Sequence, residues 1–314
     1  MKKLALIGEC MIELNGEPFG SMHQTYGGDT LNTATYIARV SSPDDIEVNY
    51  VSALGLDKLS QGMIGRWQAD GIKTDWVLRD ENRSAGLYLI QLDKQGERTF
   101  LYWRNQSAAR YLLQHPDYLN VLSALKSVDM IYLSGISLAI LPENDRTLLI
   151  EQLRELKKSG LEIAFDSNFR PKLWDSLEQA QQCYKALLPL VDVALVTFDD
   201  EEMLWSNKNE QATITRLSAF NIPKIIVKQG SLGATICENG KQVFVPTTPI
   251  AKVVDTTSAG DSFNAGFLAG YLQGKSLEIC CRQGNQLAGI VIQHKGAIID
   301  KSATAHLCHL FNEG

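Results

Sequence analysis

Hydrophobic positions along the chain fall into two recurring patterns. Short, nearly continuous apolar runs at 4–7, 48–54, 130–133, 162–165, 193–196 and 225–227 have the length and composition of buried strands. Between several of them, apolar residues return at three- and four-residue spacing over 32–39, 60–69, 144–158, 177–188, 201–205 and 212–220, which predicts helices. Such alternation predicts an α/β fold: right-handed βαβ units in a central, mostly parallel sheet with helices on both faces. Ligands of such sheets bind beyond the carboxyl ends of the strands. One region departs from the pattern. Residues 86–92 and 98–104, joined by the Gly-containing turn 93–97, predict a β-hairpin, which with 11–26 makes a small sheet outside the main layer. The whole chain, 1–314, therefore reads as one domain with that sheet inserted at about 11–26 and 86–104.

Composition then excludes several classes. A chain of 314 residues that is 45% hydrophobic can bury a large core. Its net charge of −6, with Lys and Arg scattered, argues against nucleic acid as a partner. The cysteines, Cys10, Cys183, Cys237, Cys280, Cys281 and Cys308, form no C-x-x-C pair and read as reduced thiols of a cytoplasmic protein. The apolar run after Met1-Lys2-Lys3 stops at Gly8-Glu9, too short for a signal peptide, and no segment has the length of a membrane span. The chain has neither a G-x-x-x-x-G-K-[ST] loop nor a G-x-G. His306-Leu307-Cys308-His309 has metal-like spacing without a partner pair, so no protein-held metal is predicted.

Four clusters carry chemistry. In Asp255-Thr256-Thr257-Ser258-Ala259-Gly260-Asp261-Ser262-Phe263-Asn264-Ala265-Gly266, small residues turn the chain into a helix whose first N–H groups suit a phosphate. Asp261 there is either a plain helix-start residue or a general base one residue from the anion site. Gly27-Gly28-Asp29-Thr30-Leu31-Asn32 allows close backbone approach and offers a carboxylate and an amide to sugar hydroxyls, or forms a hinge and helix cap. Asn168 and Arg170 follow a strand end, with Pro171 restricting Arg170 to extended backbone; they cap a turn or face a ligand. Lys228-Gln229-Gly230-Ser231-Leu232-Gly233 is by itself a turn between strands. In the hairpin, Tyr102 and Arg104 share a face, with Tyr88 placed to lie opposite. Two phenols and a guanidinium, with Arg170 on the main layer, suit a sugar acid; packing aromatics and a solvated charge are the plainer account.

Residues 255–266 resemble the C-terminal signature of the PfkB (ribokinase-like) family of carbohydrate kinases, D-T-T-G-A-G-D-x-F-x-A-G, departing from it only at Ser258, where the family has Gly. Gly27 to Asn32 are similar to its N-terminal signature. The resemblance implies a ribokinase-like fold with the small sheet as a lid, and ATP with Mg²⁺ as cofactors. It gives Asp261 as base, Ser258, Ala259 and Gly260 as anion hole, and Gly27, Gly28, Asp29 and Asn32 on the sugar. Toward the nucleotide it places Asn168, Arg170, Lys228, Gln229, Gly230, Ser231, Leu232, Gly233 and Asn285, and in some relatives a monovalent cation sits near Asp255 and Thr256. The run Gly8-Glu9-Cys10-Met11-Ile12-Glu13-Leu14, with Tyr102-Trp103-Arg104-Asn105, is similar to the branch of the family acting on 2-keto-3-deoxygluconate. That implies transfer of phosphate to the terminal hydroxyl of this keto acid, bound by Tyr88, Tyr102, Arg104 and Arg170. A kinase of a neutral sugar such as fructose or ribose, and a sensor with this fold but no turnover, stay open as alternatives. Leu87, Leu89, Phe100 and Leu101, exposed if the lid stands alone, predict a homo-oligomer through it.

Overall fold

A computed structural model describes residues 1–92 and 98–312; the turn expected at 93–97 lies outside the described residues. The strands are β1 (Lys2–Ile7), β2 (Met11–Gly16), β3 (Met22–Gly27), β4 (Ile46–Gly55), β5 (Val77–Asp80), β6 (Leu87–Leu92), β7 (Arg98–Trp103), β8 (Met130–Ser134), β9 (Glu162–Asp166), β10 (Val193–Thr197), β11 (Lys224–Lys228), β12 (Gly233–Glu238) and β13 (Lys241–Pro246). The α-helices are α1 (Asp29–Val40), α2 (Lys58–Ala69), α3 (Tyr118–Ala124), α4 (Gly135–Ala139), α5 (Glu143–Lys157), α6 (Leu177–Leu187), α7 (Phe198–Trp205), α8 (Glu210–Ser218), α9 (Ala259–Leu272), α10 (Leu277–Val291) and α11 (Ala305–Asn312).

Nine strands form the main sheet in the order β13-β12-β11-β10-β9-β8-β1-β4-β5. From β11 to β5 every pairing is parallel, while β12 and β13 add an antiparallel edge. The apolar runs are continuous because both faces of these strands are covered. Leu4 and Leu6 of β1 point into a core shared with α1, α2, α9, α10 and α11; Ala5 and Ile7 point into the opposite core, with α5 and α6. Two strands escaped the sequence pattern for physical reasons. β5 has only four residues, and β13 is an edge strand exposed at most positions.

The small sheet has the order β3-β2-β6-β7. β2 runs parallel to β6, and both outer pairs are antiparallel. Tyr88 lies directly across from Tyr102. One expectation needs correction: Leu87 and Leu89 are half-buried, Leu87 by packing against the main core, and only Phe100 and Leu101 of the four are exposed.

Candidate active site

The carboxyl ends of β1, β8, β9, β10 and β11 and the first turns of α1 and α9 meet along one edge of the main sheet. The turn into α9 has the shape expected for an anion. Ser258 is its N-cap in the left-handed region, φ 65°, a conformation that a non-glycine residue adopts at a cost of roughly 1 kcal/mol. The Ala259 N–H bonds to Thr256 O at 3.1 Å. The N–H groups of Ser258, Gly260 and Asp261 have no partner among the described residues, whereas that of Ala259 is taken within the turn. Lys228 adds charge from above: its buried Nζ is 3.6 Å from where a Cβ on Gly260 would sit.

Around this turn, side chains far apart in sequence form one hydrogen-bonded set. Asn32 Nδ2 donates to Asp261 Oδ2 at 2.8 Å, and Thr33 Oγ1 to Asp261 O at 3.2 Å. Asn168 Nδ2 donates to Asp29 Oδ2 at 2.6 Å. Lys228 Nζ donates to Asn264 Oδ1 at 3.0 Å and lies 3.3 Å from Asp166 Oδ2, which also accepts from Asn264 Nδ2 at 2.7 Å. Burial pushes the Asp261 carboxyl up to about 7, with the Asp29 and Asp166 charges adding to the shift and the Asn32 amide opposing it. Burial raises Asp29 as well. Asp200, at the start of α7, is pushed up to about 6 by burial, with Arg170 opposing and Asp166 assisting.

Gly27 and Gly28 are demanded by neighbours within the chain. A Cβ on Gly28, whose φ is an ordinary extended 177°, would strike Glu9 O, and one on Gly27 would lie 2.7 Å from the Tyr88 hydroxyl. The paired glycines thus seat the hinge between β3 and α1 against the end of β1 and against the small sheet. Gly28 also replaces Asp29 and Thr30 as the N-cap of α1.

The small sheet brings its own group. Tyr88, Phe100 and Tyr102 form an aromatic row, with Tyr88 and Tyr102 centroids 6.0 Å apart. Arg104 lies with its Cζ 5.9 Å from the Tyr102 ring. Burial raises the Tyr102 phenol, while the charges of Arg104 and Arg170 lower it. Arg170 donates from Nη1 to Asp200 Oδ1 at 3.2 Å. The residues expected on the nucleotide are grouped apart from these. Half-buried Gln229 and exposed Gly230, Ser231 and Leu232 form a loop closed by Gln229 N–H to Gly233 O at 2.9 Å. Asn285 reaches Pro246 O at 3.3 Å, and Pro246 pairs with Gly233, so loop and α10 share one border.

Sequence reading missed several acids. Glu9, 3% exposed, pairs with Arg104 and accepts from Ser107 Oγ at 2.5 Å. Glu13 accepts from the Tyr88 hydroxyl. Asp166 opens the run that also carries Asn168 and Arg170, two and four positions on, while Asp200 follows the end of β10 with that position as its only signal. Among the described residues no group of three or more His, Cys, Asp or Glu side chains is placed to hold a metal ion, and no helix is long and apolar enough to cross a membrane.

The chain can now be compared with known proteins. Residues 1–304 match the family described as pfkB family carbohydrate kinase. The chain is 67% identical over 314 residues to the 2-dehydro-3-deoxygluconokinase of Haemophilus influenzae, covering 99% of this chain and 100% of that one. It is 44% identical over 305 residues to the enzyme of that name from Dickeya dadantii, covering 96% and 98%. Its fold is similar to the crystal structure of 2-dehydro-3-deoxygluconokinase from Thermotoga maritima, with a TM-score of 0.82 at 21% identity over 98% and 100% of the chains. It is equally similar to a putative ribokinase II from E. coli in complex with ATP and Mg²⁺, with a TM-score of 0.84 at 21% identity over 99% of each chain. Both signatures, the architecture and the match along nearly the full length agree: this chain belongs to the pfkB family of carbohydrate kinases.

Proposed function

We propose that the chain transfers the γ-phosphoryl group of ATP to the terminal hydroxyl of 2-dehydro-3-deoxygluconate (2-keto-3-deoxygluconate), giving the 6-phosphate and ADP. The observation that carries the substrate is Arg104 beside the Tyr102 ring, Cζ 5.9 Å from its centroid, with Arg170 on the main layer near enough for its charge to lower the same phenol. Two guanidiniums at that place suit a carboxylate, for which a neutral sugar has no equivalent. Full-length similarity to two kinases of that name supports the same reading.

In this mechanism Asp261 removes the proton of the attacking hydroxyl. A carboxyl held near 7 is matched to base work at neutral pH, and Asn32 orients it. As the new O–P bond forms and the bond to ADP breaks, the N–H groups of Ser258, Gly260 and Asp261, with Lys228, meet the developing charge. Residues 228–233 and Asn285 hold the nucleotide. Mg²⁺, when bound with ATP, neutralises phosphate charge. Asp166 and Asp200 are the carboxylates nearest in character to that task, and the small number of protein ligands fits an ion held mainly by phosphate and water. The small sheet acts as a lid that excludes water, and its exposed edge strand β7 joins a second copy of the chain. Asp255, whose carboxylate accepts from Gly296 N–H at 2.8 Å, belongs with Thr256 to a monovalent-cation site.

Turnover with Mg-ATP tests the substrate. The keto acid, fructose and ribose are compared for wild type, Arg170→Ala, and Arg104→Ala combined with Glu9→Gln, the second change removing the carboxylate that Arg104 neutralises. KM for the keto acid should rise about tenfold or more in each variant, the factor for one charge-assisted hydrogen bond. Turnover of a neutral sugar, indifferent to both arginines, would sink the substrate while leaving the kinase standing.

A further inference from the structure

A cavity of about 460 Å³, with Arg104 in its near wall, opens between the segment after β7, the turn from α4 to α5, and the loop after β9. None of Gly28, Asp29, Asn32 or Asp261 lines it. Its apolar wall, including Ile140 and Trp174, belongs to the core on the face of the sheet opposite α9.

Two guanidiniums face this space. Arg146, on α5, is 8% exposed. Its Nε donates to Leu138 O and its Nη2 to Leu141 O, both at 3.1 Å, and its Cζ lies 4.6 Å from the Trp174 ring centroid. Arg110 donates from Nη1 to Ile140 O at 2.6 Å, and its Nε is buried without a partner. Other buried arginines are neutralised by a carboxylate: Arg39 by Asp70, Arg104 by Glu9 and Arg216 by Glu201. Arg110 and Arg146 have no ion pair among the described residues; carbonyl oxygens and the Tyr111 and Trp174 rings are their company. Pinning the α4–α5 turn accounts for three of their N–H directions and leaves Arg146 Nη1 unused.

Burying positive charge without a counter-ion is costly. Burial lowers the Arg146 guanidinium; Cys183 and the Glu143 and Asp175 charges oppose that shift, and Arg110 adds a smaller repulsion. Lys172 and the Glu9-paired Arg104 also line it; against these stand Glu143 and Asp175, the latter occupied by Gln179 Nε2 at 3.1 Å. The 15-residue helix α5 also begins at this wall, where its dipole is positive.

We propose that this cavity is a second anion site, taking a small metabolite that carries a phosphate-class dianion, adjoining the proposed sugar-acid site at Arg104 and centred on Arg110 and Arg146. A dianion satisfies two mutually repelling guanidiniums at once, and the volume holds a ligand of sugar size. Free phosphate and a phosphomonoester present the same chemistry.

Calorimetric titration of the full chain distinguishes them. Inorganic phosphate and glycerol 3-phosphate are titrated separately while saturating Mg²⁺ and a non-hydrolysable ATP analogue fill the nucleotide site; titration of the analogue alone reports on that site independently. Saturable binding should persist. Arg110→Gln should weaken it about tenfold or more, the loss for a charge-assisted hydrogen bond, and Arg110→Lys should recover part of it. Lys172→Glu, at an exposed position, should weaken it in the same direction without touching the core. Binding of the ester alone, or of free phosphate alone, names the source. Absence of binding to both with the analogue present, or affinity unchanged in Arg110→Gln and Lys172→Glu, overturns the site and leaves the arginines as pins for the α4–α5 turn.

Discussion

Asp261, the proposed base, also carries a burden. Its folded-state value near 7 exceeds the roughly 3.9 of an unfolded aspartate, so the folded chain binds that proton more tightly than the unfolded one. Stability from this group is complete below about pH 4 and is lost as pH rises toward 7. Asp261→Asn should therefore melt higher than wild type at pH 8 without ligands, with the gap closing toward pH 4, and should lose at least about 10² in kcat. Wild-type turnover in the variant would remove Asp261 as the base; a lower melting temperature at pH 8 would remove the burden. Asp261, Asn32, Asn168 and Lys228 were legible because they sit in short motifs of fixed spacing. Glu9 was not: its meaning comes from Arg104, 95 positions away, and a single acid after a strand has no spacing to read. Ser258 was legible in its discomfort, since the position where the family has Gly does adopt a positive φ.

At the scale of elements, the first turn of α9 is aimed by how that helix lies against α10. The two cross at glycines. A Cβ on Gly266 would come within 2.7 Å of Gln283 O and 2.9 Å of Gly284 Cα, and one on Gly284 within 2.7 Å of Phe263 O. Gly266→Ala forces the backbones apart, at about 1–3 kcal/mol for overpacking. The expected result is a lower denaturant midpoint together with reduced kcat at temperatures where the variant is still folded, because Asp261 rides on the displaced helix. An unchanged kcat would mean that the turn is held by Asn32 and Lys228 alone. The sequence predicted α9 from its spacing but offered no sign that its glycines meet another helix, since such contacts are set by packing between segments. Helices with strong periodicity, such as α5 and α6, lay within a residue of their expected bounds.

For the whole molecule, the small sheet ends in an open edge. β7 pairs only with β6, and Phe100, Leu101 and Trp103 on it are exposed at 38%, 39% and 57%. Exposed apolar edge strands are prone to pairing. Sedimentation equilibrium at micromolar concentration should therefore give a homo-oligomer, and a monomer there would overturn the proposed pairing of lids. The sequence conveyed the two-sheet plan because alternation of period two stands out from helical spacing, whereas the parallel pairing of β2 with β6 has no local signature. The bond from Asn32 to Asp261 spans 229 positions. A ribosome adding about 5 to 20 residues per second needs on the order of 10 to 50 s to make that stretch. Through that interval the nascent chain already carries its Gly27–Gly28 hinge, yet lacks the residue proposed to deprotonate an acceptor; on that proposal, phosphoryl transfer becomes available only after residue 261 has been made.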